Sequence, residues 1–256
     1  MKYLFFIGSG RTGSTFLGQV LNYHPNCLIS NESRFLDKVV KQKCSTDLAF
    51  SHLYEEATRQ FESGLENTGY KMSQYQKRWK EMGHLSELPE FNKKEIMVIG
   101  DKKAGGTTSI FREHKQEFLD FVTKNKFYFL HLVRNPAVAA RSYMKSHGYE
   151  TYEKACKKVL DDSILASTLE DYIDSDLYLR VYYEDLLDDF STTTKNINSW
   201  LGLETDPEWL RHIQKTLNKN DSETDIDDLR RAKEIMLTND TKNIFKRYFS
   251  DFNHKV

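Results

Sequence analysis

The sequence predicts an α/β domain built on a mostly parallel sheet that helices cover on both faces. Short apolar runs alternate along the chain with segments of helical period, and this alternation is typical of such a sheet. The chain has 256 residues, of which 39% are hydrophobic, and this is enough to bury one core. We therefore expect a single domain over residues 1–256.

Five runs are predicted to form the strands, because each is short and rich in aromatic or β-branched side chains. In chain order they are YLFFIG from Tyr3, CLIS from Cys27, IMVIG from Ile96, FYFLHLV from Phe127 and YLRVYY from Tyr178. Helices are predicted between them, among others from Thr15 to Tyr23, from Ala137 to Ser146 and from Thr192 to Leu201.

Residues 36–94 form a long polar segment that the pattern does not assign to a plain crossover. We expect a helical cap over the edge of the sheet, on the side where a substrate would bind. Its aromatic side chains either pack in a core or select a planar or sugar substrate; they are Tyr54, Tyr70, Tyr75 and Trp79. The charged tail after Leu203 is predicted to form surface helix and a flap.

The overall charge excludes a function that depends on a global field. There are 37 basic and 38 acidic side chains, which argues against nucleic acid or an anionic membrane surface as a partner. Three separated cysteines, Cys27, Cys44 and Cys156, suit packing in a reducing compartment better than a disulfide framework or a zinc site. The apolar start is too short for a membrane span or signal peptide, so a cytoplasmic location is predicted.

The loop after the first strand, GSGRTGST from Gly8, predicts an anion-binding site. Its glycines have the spacing of a nucleotide-binding P-loop, but Ser14 stands in place of the lysine and the nearest cation is Arg11. A strand, a glycine loop and a helix in this order direct backbone N–H groups and a helix N-terminus to one point. The alternative is an ordinary turn whose glycines serve packing.

Two further strand ends carry charge. A nucleoside triphosphatase uses the P-loop lysine and an acidic strand end to organise Mg²⁺. Here Asp101 is followed by Lys102 and Lys103, which indicates a site where side chains replace the metal, so no metal is expected. After the fourth strand, Arg134 and Ser142 could bind a second phosphate; the alternative is a surface ion pair and a solvent-facing hydroxyl.

Three segments in this order resemble motifs of the sulfotransferases that use 3′-phosphoadenosine 5′-phosphosulfate (PAPS). The glycine loop resembles the 5′-phosphosulfate loop, and an arginine followed eight residues later by a serine resembles the 3′-phosphate motif. The segment YYEDLLDDFSTTTKNINSWLGL resembles the family's Tyr-Glu-Asp-Leu segment and its following helix. With arginine at position 11, the loop looks most like the tyrosylprotein, Golgi carbohydrate and bacterial branches.

The resemblance implies a P-loop-like sulfotransferase fold and transfer of the sulfuryl group of PAPS to a hydroxyl, with release of 3′,5′-ADP (PAP). It implies Glu32 as general base; the alternative is a glutamate in a first helical turn, where the helix dipole favours a negative charge. Arg34 also matches, and the resemblance implies Lys102 as stabiliser of the transferred group and Arg11 as a phosphosulfate ligand. The implied cofactor-binding residues are Gly10, Arg11, Thr12, Gly13, Ser14, Thr15, Phe16, Arg134, Ser142 and Tyr183.

The sequence also departs from that family. No segment matches the C-terminal Arg-Lys-Gly loop of the cytosolic enzymes, although Lys242 or Lys246 could substitute. His24 is expected to cap a helix C-terminus and His131 to be a core histidine whose ring nitrogens are both hydrogen-bonded. The acceptor and the oligomeric state are left open.

Two rival functions remain at this point. One is a small-molecule or nucleoside kinase with a degenerate loop, which binding of ATP with Mg²⁺ would favour. The other is a non-catalytic PAPS- or PAP-binding module that senses the nucleotide; Glu32 and Lys102 argue against it, because a sensor needs no base.

Overall fold

The computed structural model describes residues 1–42, 48–62, 94–205, 207, 210–211, 226–237 and 244–249. Five parallel strands form one sheet in the order β2-β3-β1-β4-β5. The strands are β1 Lys2–Ile7, β2 Cys27–Asn31, β3 Val98–Lys102, β4 Tyr128–Val133 and β5 Tyr178–Tyr182. The predicted fold class is confirmed: a single α/β domain with helices against a parallel sheet.

The helices in the described part of the chain lie between and after the strands. They are α1 Ser14–Asn22, α2 Phe35–Gln42, α3 Ala49–Glu62, α4 Ala104–Glu113, α5 Lys115–Asn125, α6 Pro136–His147, α7 Tyr152–Ser167, α8 Tyr183–Asp188, α9 Phe190–Leu201, α10 Ile226–Leu237 and α11 Lys246–Phe249.

The sheet is buried on both faces, as the continuous apolar runs of its strands predict. Successive side chains of β1 point to opposite faces. Phe5 and Ile7 join one hydrophobic cluster with α2 to α5, whereas Leu4 and Phe6 join a second cluster with α1, α8 and α9. Helices therefore cover both faces, which leaves the carboxyl ends of the strands as the edge where a ligand binds in such sheets.

The edge strand β2 is covered by α3. The Gln60 side chain accepts a hydrogen bond from Asn31 N–H at 2.7 Å and donates to the Asn31 carbonyl oxygen at 2.8 Å. These bonds satisfy backbone groups that an open sheet edge would leave unpaired. Tyr54 stacks on Phe50 with ring centroids 5.8 Å apart and packs against the core. The rest of the predicted cap, residues 43–47 and 63–93 with the other three aromatics, lies outside the described residues.

The described part of the tail packs on the main domain. Ala232 of α10, together with Ile244 and Phe245 just before α11, joins a third hydrophobic cluster with α6 and α7. Cys27 and Cys156 are buried free thiols, and Cys44 lies outside the described residues. Within the described ranges, no helix combines the length and apolar character needed to cross a membrane. A cytoplasmic location stays a prediction.

His24 and His131, which the sequence assigns to structural roles, are both buried, but within the described residues Nε2 of His131 is not satisfied as predicted. His24 follows α1, and its ring accepts from Asn26 N–H at 3.1 Å and donates to the Glu204 carbonyl oxygen at 2.7 Å. His131 is fully buried in β4 and its Nδ1 lies 2.6 Å from the Tyr178 hydroxyl oxygen. Its Nε2 has no hydrogen-bond partner among the described residues. Burial, with Arg180 adding to it, lowers the pKa of His131 from 6.5 to about 3.

His131 is expected to make folding sensitive to mild acid. The folded state favours the neutral ring, whereas the unfolded chain takes up a proton below its pKa of 6.5. The free energy of unfolding is therefore highest above pH 6.5 and decreases as the pH falls from 6.5 toward about 3. The expected loss is about 1 kcal/mol between roughly pH 7 and pH 5.5. Urea unfolding at both pH values should show this loss reduced in His131→Gln and kept in His114→Gln. An equal loss in His131→Gln would contradict the account.

Candidate active site

A cavity of about 590 Å³ lies where the loops follow the carboxyl ends of the strands. It brings together side chains from all three predicted motifs. The predicted site residues that line it are Gly10, Arg11, Gly13, Ser14, Thr15, Phe16, Glu32, Lys102, Arg134, Ser142 and Tyr183. Thr12 is not among them: its side chain is fully buried, and its hydroxyl donates to the Ser9 carbonyl oxygen at 3.2 Å.

The glycine loop leads directly into α1. Gly13 precedes the helix with φ 89°, in the left-handed region that favours glycine. A Cβ at Gly13 would lie 2.4 Å from Cε2 of Tyr183, so the loop and the Tyr-Glu-Asp segment approach too closely for a side chain. Gly10 N–H donates to the Tyr143 hydroxyl oxygen at 3.1 Å. Tyr143 and Tyr183 thus fix the two ends of the loop.

Arg11 and Arg134 lie together in the cavity. Arg11 Nε donates to Ser142 Oγ at 3.0 Å, and Arg134 Nη1 lies 3.4 Å from the Arg11 carbonyl oxygen. The Arg134 guanidinium also lies 4.4 Å from the ring centroid of Tyr183, at cation–π distance. The glycine loop and the Arg134/Ser142 pair lie far apart in sequence, but they line the same cavity.

Two of the four non-glycine residues with positive φ in the described ranges line the cavity. They are Arg11, with φ 63°, and Glu32, with φ 61°, whereas Arg34, with φ 59°, and Lys126, with φ 49°, do not line it. Non-glycine residues in the left-handed region cost about 1–3 kcal/mol each and cluster at functional sites. The strain at Arg11 and Glu32 therefore points to a function for the cavity.

Asp101 holds the segment that carries Glu32. Its Oδ1 accepts from Ser30 Oγ and from Ser33 N–H, both at 2.9 Å. Burial raises the pKa of Asp101, and these bonds oppose that shift. Glu32 N–H donates to the Lys102 carbonyl oxygen at 3.2 Å. The strand-end aspartate thus positions the Glu32 segment and lies outside the cavity lining.

Glu32 is not in the first turn of a helix, because α2 begins at Phe35 and Asp37 is its acidic first-turn residue. A helix dipole therefore does not account for its carboxylate. Glu32 Oε1 lies 3.4 Å from Lys102 Nζ, and Lys102 is only 5% exposed. Burial lowers the pKa of Lys102, while Glu32 opposes the shift. The site thus pairs a carboxylate with a desolvated ammonium group.

The cavity is locally cationic although the chain is nearly neutral. Five cationic residues and one carboxylate line it: Arg11, Lys102, Lys103, Arg134 and Lys158, with Glu32. Residues at the start of α1 and of α4 also line it, so two positive helix ends add to the field. Within the described ranges, no group of three or more acidic, histidine or cysteine side chains could hold a metal ion. Independence of metal stays a prediction.

Several lining residues were not predicted from the sequence. Gly105, Gly106 and Ser109 come from α4, and Tyr143, His147, Tyr149 and Lys158 come from α6, α7 and the loop between them. A signal for two of them exists, because Tyr143 and His147 are four residues apart on the helix of Ser142 and so share a face. Lys158 has no such local signal.

The Tyr-Glu-Asp segment joins the site to the tail. Glu184 accepts from Asn135 N–H at 2.9 Å, next to Arg134, and from the Tyr248 hydroxyl of α11. Arg247 forms two hydrogen bonds with Asp185, at 2.9 and 2.6 Å. Lys246 is exposed and does not line the cavity, and Lys242 lies outside the described residues.

Fold and cavity together define a P-loop-like α/β protein with a cavity at the carboxyl edge of its sheet that is lined by cationic side chains. The model of the sulfotransferase family matches residues 126–207, which include Arg134, Ser142 and Tyr183. This segment matches the sulfotransferase family, which confirms the resemblance predicted from the sequence.

Solved sulfotransferase structures align with the chain along most or all of its length. The sulfotransferase domain of the Synechococcus PCC 7002 olefin synthase is 21% identical, with 100% of this chain and 96% of that chain covered and a TM-score of 0.52. The sulfotransferase domain from the curacin biosynthetic pathway is 17% identical, with 100% of this chain and 98% of that chain covered and a TM-score of 0.49. A mouse sulfotransferase complexed with PAP is 13% identical, with 100% of this chain and 85% of that chain covered and a TM-score of 0.47. A comparison with curated proteins gave no match.

Proposed function

We propose that this chain is a sulfotransferase that moves the sulfuryl group of PAPS to the hydroxyl of an acceptor and releases PAP. The observation that carries the proposal is the meeting of Arg11 and Arg134 in one cavity, with Ser142 bonded to Arg11. A ligand with two separate phosphates matches two arginines that come from different motifs.

The residues present fit the two ends of such a donor. The loop N–H groups, the N-terminus of α1 and Arg11 would hold the 5′-phosphosulfate. Arg134 and Ser142 would hold the 3′-phosphate, since both line the cavity and Ser142 keeps a hydroxyl hydrogen to donate. Phe16 and Tyr183 line the same cavity and would contact the adenosine.

When bound, PAPS supplies an activated sulfuryl group on a phosphate leaving group. Arg11 would stabilise the charge that builds on the bridging oxygen, and Lys102 would stabilise the sulfuryl oxygens. Glu32 would accept the proton of the acceptor hydroxyl. The cationic lining supplies positive charge near the reacting atoms, and Asp101, the residue placed to organise Mg²⁺, is bonded to Ser30 and Ser33.

Glu32→Gln is expected to separate the chemical step from nucleotide binding. The amide keeps the size of the side chain but cannot accept a proton, so transfer should fall by about 10²-fold. The affinity for PAP should stay within a few-fold. Single-turnover conversion of PAPS, beside calorimetric titration with PAP, measures both quantities. Glu117→Gln, an exposed glutamate in the first turn of α5, is the control. Transfer at the parental rate in the Glu32 variant would place the base elsewhere.

The activity itself is tested with radiolabelled PAPS and a panel of acceptors that covers tyrosine peptides, sugars, lipid alcohols and small alcohols. We expect label to move to at least one class and PAP to form in equal amount. Binding of PAP without transfer to any of them would favour a nucleotide-sensing module, and phosphoryl transfer from ATP with Mg²⁺ would favour a kinase.

A further inference from the structure

His147 is a titratable group in the cavity that the proposed roles do not use. It is the last residue of α6 and lines the same cavity as Arg11 and Glu32. Its ring lies 4.8 Å from that of Tyr143, which packs beneath it. The side chain itself is exposed, so a molecule in the cavity can reach it.

The hydrogen bonds around His147 fix its tautomer. Ser146 Oγ lies 2.8 Å from the Ser142 carbonyl oxygen, which can only accept, so the single hydroxyl hydrogen of Ser146 is used there. Ser146 Oγ also lies 2.7 Å from His147 Nδ1. Nδ1 must therefore carry the hydrogen and donate it to Ser146. His147 Nε2 is left with its lone pair open, since the described residues provide no partner for it.

The charges around the ring favour the neutral form. Although the side chain is exposed, partial desolvation of the ring lowers the pKa of His147. Arg11 and Lys158 lower it further, and Glu32 opposes them. The groups that face it from the surrounding elements are Arg11 of the glycine loop, Glu32 after β2, Lys158 of α7, Tyr143 of α6 and Tyr149 of the following loop. A neutral imidazole with an open Nε2 is a proton acceptor at neutral pH.

We propose that His147 Nε2 is a second acceptor for the proton of the attacking hydroxyl, on the α6 side of the cavity, while Glu32 serves on the β2 side. The inference rests on the proposed sulfotransferase function. In the step, the acceptor oxygen forms a bond to the sulfur of PAPS and the bond from sulfur to the phosphate oxygen breaks. The electron pair of that bond stays on the phosphate of PAP, and the hydroxyl proton moves to Nε2.

The pairing of Glu32 with Lys102 gives a reason for a second acceptor. With Lys102 Nζ 3.4 Å from Glu32 Oε1, part of the carboxylate's capacity to accept is already engaged by a buried ammonium group. Within the described ranges no ion pair joins His147 to a carboxylate, and the nearby cations Arg11 and Lys158 lower the pKa of His147 while Glu32 opposes them. The imidazole therefore stays unprotonated and available where a carboxylate is held by its partner.

The tautomer can be tested by ¹⁵N long-range NMR of the histidine rings in the full chain, with His147→Gln used for assignment. We expect the Nδ1–H form for His147, a pKa below the ordinary histidine value, and an upward shift of that pKa in Arg11→Ala. An Nε2–H form would overturn the proposal, because Nε2 could then not accept a proton.

The role in transfer is tested by single-turnover release of PAP from PAPS, with water as the acceptor. His147→Gln should lower the rate about tenfold and remove the inflection that the wild type shows below about pH 6.5. It should lower the residual rate of Glu32→Gln by about tenfold again, while PAP affinity stays unchanged. His114→Gln, which lies between α4 and α5, is the control.

Rates unaffected by His147→Gln in both backgrounds would overturn this inference while the sulfotransferase proposal stands. A wild-type chain that neither binds PAP nor consumes PAPS would instead refute the proposed function, and this inference with it. Calorimetric PAP binding by the wild type separates the two failures.

Discussion

Arg11→Ala is expected to lower sulfuryl transfer by about 10²- to 10³-fold, the usual effect of removing one group that stabilises developing charge. The guanidinium stands in a P-loop that has no lysine, and its Nε is already oriented by Ser142 at 3.0 Å. In the proposed reaction its charge would be needed most as the bond to the bridging oxygen breaks. The loss should therefore fall on the rate more than on the affinity for PAP.

Single-turnover kinetics with PAPS and calorimetry with PAP measure these two effects. Arg11→Lys keeps the charge without the planar fork, so it should recover part of the rate. Arg59→Ala, an exposed arginine of α3, controls for the loss of a positive charge. If Arg11→Ala weakened PAP binding as much as it slowed transfer, Arg11 would be a ground-state ligand only.

Arg134→Ala is expected to lower PAP affinity by about 30- to 100-fold, which corresponds to about 2–3 kcal/mol for a charge-assisted contact. The affinity for 5′-AMP should hardly change, since only the 3′-phosphate would meet Arg134. Because the guanidinium also packs on the Tyr183 ring at 4.4 Å, Arg134→Lys should restore the charge but not this stacking.

The matched control for that experiment is Arg141→Ala, which removes an arginine from α6, the helix that follows Arg134. Arg141 is ion-paired with Asp228 and does not line the cavity. Calorimetric titration of each variant with PAP and 5′-AMP gives the comparison. An equal loss of affinity for both nucleotides in Arg134→Ala would refute the assignment of a 3′-phosphate site.

Local sequence patterns predicted the strands well because buried parallel strands are nearly continuous in apolar side chains. The largest difference is at β3, which spans Val98–Lys102 although the apolar run begins at Ile96 and ends at Gly100. Met97, inside that run, is 47% exposed and lies before the first paired residue. Hydropathy alone does not report such a position, because strand pairing decides where the ladder starts.

The site was predictable where one motif carries its own geometry. A glycine loop between a strand and a helix directs N–H groups to one point, so Arg11 and its neighbours could be named from sequence. Contacts between segments that are distant in sequence could not be predicted in this way. The bond from Arg11 to Ser142 and the packing of Tyr183 on Gly13 depend on how β1, β4 and β5 order in the sheet.

Two roles also depend on tertiary contacts that a motif does not encode. Asp101 looks like a metal-organising residue in sequence, but its oxygen is bonded to Ser30 and Ser33. The lone pair of His147 Nε2 is open because Nδ1 donates its hydrogen to Ser146, and this hydrogen bond exists only once α6 is formed. Such roles follow from which donors and acceptors are already used, and that is known only from the fold.

The most direct test of the central claim is calorimetric titration of the wild-type chain with PAP in EDTA, beside 5′-AMP in EDTA and ATP with Mg²⁺. We expect PAP to bind without a metal and about 30- to 100-fold more tightly than 5′-AMP, because the second phosphate adds a charge-assisted contact. Equal affinities for PAP and 5′-AMP, or binding of ATP that requires Mg²⁺ in the absence of PAP binding, would contradict it.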